Sequence, residues 1–182
     1  MRVAFALFTL ALSIPSICSS ATLCRTGEID YFSCRAKNGK IISVCGNIKN
    51  GTIEDDSWLQ YRYGKPHAIK LAYPEKENGS VSKFEGNHFN RYNVIDLRFI
   101  NGETLYSVTL NGLYSGEGAN PRYYVTGGVS VEMGKSKRVS IACQSIGEYY
   151  ELFAELNDSL RSHNGYNGKS DMLYYFYNHV SK

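Results

Sequence analysis

The chain carries four histidines, His67, His88, His163 and His179, and none stands at a metal-type spacing from another His or from a Cys. The sequence holds no Gly-x-Ser-x-Gly elbow and no P-loop. Gly116-x-Gly118 lacks a third glycine and a following helical pattern, so it reads as a flexible loop. His88 lies near Glu85 and Arg91 and reads as a lone surface histidine. Asp55 and Asp56 are adjacent carboxylates, but the polar loop around them offers no apolar wall to raise a pKa. These residues indicate no catalytic group, no metal and no cofactor. Binding is expected rather than catalysis.

Residues suited to binding are more plentiful. Fifteen tyrosines and one tryptophan occur, and both types bury large area with few rotors while keeping a polar tip. Trp58, Gln60 and Arg62 alternate with Leu59, Tyr61 and Tyr63, which predicts an exposed aromatic and basic strip bearing Trp58 and Arg62. Tyr123 and Tyr124 are adjacent in a strand pattern, so one must face away from the core. The segment Leu113–Gly128 is glycine-rich and bracketed by tyrosines, and reads as a long loop of the kind that carries function on a rigid scaffold. The candidate partner-binding residues are therefore Tyr114, Ser115, Tyr123, Tyr124, Trp58 and Arg62.

Sulfur and charge indicate the compartment. Arg2, the apolar run Val3–Ile14, Pro15 and the small residues Ser19-Ser20-Ala21 form a secretory signal pattern, with cleavage expected after Ala21. The run is too short to span a bilayer, which needs about 20 apolar residues. Removal of residues 1–21 from the 182 leaves 161, enough for one domain with a substantial core. Cys18 departs with the signal. Cys24, Cys34, Cys45 and Cys143 remain and are expected to form two disulfides in an oxidising, periplasmic or secreted setting. Three pairings are open, and each hairpin cysteine is expected to bond outside its hairpin. Residues 22–143 hold 16 Lys and Arg against 12 Asp and Glu, while residues 144–182 hold 3 against 5. Neither part has the dense basic stripe that nucleic acid requires. Asn50-Gly-Thr52, Asn78-Gly-Ser80 and Asn157-Asp-Ser159 fit the glycosylation sequon.

The elements that position these residues are mostly strands. Asn38-Gly39 divides Phe32–Cys45 into two β-type runs and predicts a two-residue type I′ hairpin. That register places Ala36 opposite Ile41, Cys34 opposite Ser43 and Phe32 opposite Cys45, so Phe32, Cys34, Ala36, Ile41 and Cys45 share a face. Alternation continues through Trp58–Tyr63, Ala68–Tyr73, Lys83–Phe89, Tyr92–Ile100, Thr104–Leu110, Arg122–Met133 and Lys137–Cys143. Val129, Val131, Val139 and Ile141 are expected to point inward. The fold class is mainly β, an antiparallel barrel or sandwich of about eight strands with a C-terminal helical segment. Residues 22–146 form the β domain. Residues 147–182 form a helical extension packed on it: Gly147–Ser162, with Tyr149, Leu152, Phe153, Leu156 and Leu160 inward, then Asp171–His179, capped by Ser170. Met172, Tyr175 and Phe176 are expected to pack.

Cys24-x9-Phe-Ser-Cys34, Ser43-Val-Cys45 and Leu59-Gln-Tyr-Arg-Tyr-Gly64 resemble the motifs of a group of small exported proteobacterial proteins of unassigned activity. The likeness covers mainly residues 22–75. The disulfide-tied β layout is more distantly similar to periplasmic inhibitors of chicken-type lysozyme, which insert a Ser-Gly-x-x-Tyr loop into the enzyme cleft. Ser115-Gly116 matches the start of that loop, and Ala119 stands where the tyrosine would be. The resemblance implies an inhibitor or immunity-type protein directed at a cell-envelope hydrolase, with a protein of the envelope as partner. A small-molecule or glycan carrier and a structural protein of the envelope are the alternatives. No nucleic acid and no lasting membrane anchor are expected.

Overall fold

The computed structural model describes residues 21–89, 93–115, 122–134, 137–146, 150–165 and 170–180. All of the expected signal segment except Ala21 lies outside these residues. Nine antiparallel strands, β1 (Ile29–Ala36), β2 (Ile41–Gly46), β3 (Leu59–Lys65), β4 (Ala68–Tyr73), β5 (Glu85–Phe89), β6 (Val94–Asn101), β7 (Thr104–Ser115), β8 (Arg122–Met133) and β9 (Lys137–Ile146), make one sheet. Its order is β4-β3-β2-β1-β9-β8-β7-β6-β5, curled into a half-barrel with β4 and β5 as edges. Helices α1 (Tyr150–His163) and α2 (Asp171–Tyr175) follow, and α2 runs on into a π-helical turn, Phe176–Val180.

The first hairpin differs from expectation by one residue. Gly39 adopts φ 74° and donates to the Ala36 carbonyl at 2.9 Å, while the Ala36 amide donates to Lys40 at 2.8 Å. Only glycine takes the left-handed position here, so the loop has three residues, a type I turn closed by a G1 bulge, instead of two. The register becomes Arg35 with Ile41, Cys34 with Ile42, Ser33 with Ser43 and Phe32 with Val44. A one-residue slip sends side chains to the opposite face. Ile41 and Cys45 therefore leave the face of Phe32 and Cys34, and the two hairpin cysteines point to opposite sides of the sheet. Cys24 bonds Cys45 and Cys34 bonds Cys143. Both hairpin cysteines pair outside the hairpin, as expected.

The inner face is packed solid. Phe32, Ile42, Val44, Leu59 and Tyr61 meet Ile95, Leu97, Phe99, Val108 and Leu110 from the far side of the curl. Helix α1 presses Phe153, Leu156 and Leu160 into the same core, with the Phe153 ring 5.3 Å from that of Phe32. Leu152 of this helix stays exposed instead of packing. Across the unclosed seam rings stand in contact: Tyr73 of the β4 edge stacks on Phe99 at 4.8 Å and meets Phe84, just before β5, at 6.1 Å, while Phe99 stacks in turn on Tyr106, its partner within the sheet, at 4.8 Å. Val139, expected inward, is exposed. It pairs with Val131 where β9 has run past the end of β1, and no strand or helix among the described residues covers it.

Helices α1 and α2 contact the β5 edge from opposite sides. Gly86 faces α1, and its neighbour Glu85 faces the outer side, paired with Arg98. On that outer side Glu85 accepts from the Ser170 hydroxyl and from the Met172 amide at 3.0 Å. Ser170 caps α2 by accepting from the Leu173 amide at 3.1 Å. Phe176 is fully buried, but Tyr175, expected to pack, is 53% exposed.

Candidate functional site

The second half of the sheet ends in a projection. Strands β7 and β8 pair over their whole length, from Thr104 with Met133 to Ser115 with Arg122. β6 accompanies β7 only as far as Asn111, and β9 accompanies β8 only as far as Gly128. Gly112 still donates its amide to the Asn93 carbonyl at 2.9 Å, and beyond it Leu113, Tyr114 and Ser115 pair with Tyr124, Tyr123 and Arg122 as a two-stranded arm among the described residues. Leu113 and Tyr124 are partners and share a face, at 40% and 44% exposure. Glycines sit at the arm's base. A Cβ on Gly128 would lie 2.3 Å from the Ile141 carbonyl oxygen, and one on Gly127 would lie 2.7 Å from that of Thr109. Only glycine lets β8 approach both neighbours this closely.

The expected loop Leu113–Gly128 is thus mostly strand. Its remaining turn, residues 116–121, lies outside the described residues, as do the side chains of Tyr114, Ser115 and Tyr123. The backbone places Tyr114 opposite Tyr123, so four of the six candidate residues come together on the arm.

The other two candidates do not join them. Arg62 was expected on an exposed strip and is instead 1% exposed. The segment Thr22–Glu28 lies across the outer face of β2 and β3 and covers it. Leu23 donates its amide to Ser43 Oγ at 2.9 Å and accepts from Arg62 Nη1 at 3.0 Å. Arg62 forms a two-pronged pair with Glu28 and bonds Gln60 at 2.6 Å. The Cys24–Cys45 bridge fastens the same segment. Burial alone would push the Glu28 carboxyl up, but the hydrogen bonds from Arg62 and the Arg25 amide, with the charges of both arginines, hold it below its ordinary value. Trp58 is half-buried, its amide held by Asn47 Oδ1 at 2.7 Å. Cys24, Glu28 and Cys45 lie close enough to suggest metal ligands, but both sulfurs belong to the disulfide and offer no thiolate.

One pairing was not legible in the sequence. His88 Nδ1 lies 3.0 Å from Asp158 Oδ2, joining β5 to α1, so His88 is no lone surface residue. The 70-residue separation hides the contact, although alternation along β5 does place His88 on the α1 side with Gly86. Of the three sequons, Asn157 is fully buried within α1 and cannot be reached in the folded chain, whereas Asn50 and Asn78 are exposed. Among the described residues no helix is long and apolar enough to cross a membrane. No protein-family model, curated protein or solved structure matches the chain.

Proposed function

We propose that this chain is an exported, disulfide-tied binding protein that engages a protein of the cell envelope through the β7–β8 arm, as an inhibitor or immunity-type protein of an envelope hydrolase. The observation that carries the reading is the arm, which extends past both neighbouring strands and keeps Leu113 and Tyr124 in solvent. A projecting two-stranded ribbon with an aromatic and an aliphatic anchor suits insertion into a concave partner surface. The two bridges fit an oxidising setting, periplasmic or secreted. The filled interior favours an outer binding surface over storage of a ligand within the half-barrel, which would need a cavity where Phe153, Leu156 and Leu160 sit.

The test is capture from envelope extract with the mature chain as bait, followed by assay of the captured hydrolase. Tyr124→Ala and Leu113→Ala should each weaken capture at least about tenfold and leave the melting temperature unchanged. Undiminished capture by both variants, or a captured partner whose activity is unaffected, would overturn the reading.

A further inference from the structure

A second surface lies far from the arm in the fold, where the half-barrel fails to close. Between the β5 edge and the ends of α1 and α2 is a cleft of about 510 Å³, inside the roughly 300–1,000 Å³ range of small-ligand sites. Tyr73 and Tyr175 both line it, with Phe84 and Met172 between the polar groups. Tyr73 stacks on the buried Phe99 at 4.8 Å, which restrains its ring before any ligand arrives and lowers the entropic cost of stacking on it, and the exposed Tyr175 lies against His179 at 5.0 Å.

The polar lining is of both signs. Lys83 and Arg161 bring positive charge, and Asp171 and Glu85, the latter bonded to Ser170 and the Met172 amide, bring negative charge. Lys83 and Asp171 are exposed and form no ion pair among the described residues, while the Arg161 guanidinium also reaches the His88 carbonyl at 3.5 Å. Burial pushes the Tyr73 phenol up, so it remains a neutral hydroxyl at ordinary pH.

We propose that this seam cleft binds a neutral saccharide. An anion would meet Asp171 and Glu85, a cation would meet Lys83 and Arg161, and a wholly apolar molecule would strip water from these charged groups. A sugar ring avoids each cost. Its C–H faces lie against aromatic rings, and its edge hydroxyls both donate to a carboxylate and accept from an ammonium or guanidinium. The site is independent of the arm and survives or fails separately from the protein-binding reading.

The test is amide-resolved NMR titration of the mature chain with chitotriose and, in parallel, maltotriose. At least one should give saturable shifts at millimolar concentration, concentrated at residues 82–86, 161–164 and 171–175. Tyr175→Ala should weaken that binding about tenfold, and Lys83→Gln should weaken it severalfold, both with unchanged melting temperature. Tyr124→Ala, on the arm, should leave it unaltered. Absence of shifts with both sugars, shifts that persist in both cleft variants, or tighter binding of glucuronic acid than of either neutral sugar would overturn the proposal.

Discussion

Arg62 shows how one side chain can read as surface in sequence and be core in the fold. Its alternation partners Trp58 and Gln60 suggest an exposed strip, but Glu28, 34 residues away, arrives with the N-terminal segment and neutralises it under cover. Breaking such a pair leaves a buried charge without its partner, so Arg62→Gln should cost about 3–5 kcal/mol near neutral pH in a denaturant titration. The pH dependence follows from the lowered Glu28 carboxyl. Its stabilising contribution is present above the unfolded value near 4.5 and is lost as pH falls through the lower folded value. The gap between wild type and variant should therefore narrow between about pH 7 and pH 3. A constant gap would show that the pair is not what holds Arg62 in place. Asp96 acts in the opposite sense. Burial raises its carboxyl despite the Arg98 guanidinium and Thr109, so protonation on acidification favours the fold there and softens the acid loss.

Among the elements, α1 and β5 meet backbone to backbone. A Cβ on Gly86 would lie 2.5 Å from the Asn157 carbonyl oxygen and 2.8 Å from its Cα, and both are backbone atoms of α1. Gly86→Ala should therefore push the helix off the strand and cost about 1–3 kcal/mol, read as a lowered denaturant midpoint. An unchanged midpoint would mean that α1 rides loosely on the sheet. Helix α1 and strand β6, which pairs with β5, were both legible in their apolar spacing. Alternating Ile95, Leu97 and Phe99 locate β6 and its buried face, and the spacing of Phe153, Leu156 and Leu160 locates α1. The details that set the candidate site were less legible. Asn-Gly is compatible with two- and three-residue loops, so it left the β1–β2 register open by one position. The arm was only half legible: Arg122–Met133 reads as a strand, but Leu113–Ser115, beside glycines, resembled a loop. Glu28 and Arg62, like His88 and Asp158, are joined only by the tertiary fold.

At the scale of the whole molecule, the sheet is two meanders, β1–β4 and β5–β9, each built from sequential hairpins, with β1 and β9 as the one pair of neighbours distant in sequence. That junction has only three paired positions and a register irregularity, and Cys34–Cys143 crosses it. The bridge closes a separation of 109 residues, against 21 for Cys24–Cys45. In the chain-entropy account, replacing both cysteines of the long bridge by Ser should cost about 4–5 kcal/mol, and the short one about 3 kcal/mol. Guanidinium titrations of the two double variants should rank them in that order. The reverse order would show that the strap over Arg62, rather than the β1–β9 junction, is where the crosslink matters most. The same junction sets the order of assembly. Hairpin contacts within each meander close short loops quickly, whereas docking β9 beside β1 must overcome the entropy of a separation of 109 residues before any contact repays it. The two halves are thus expected to gain their shape first and meet last, with the Cys34 and Cys143 thiols coming within bonding reach only at that final meeting.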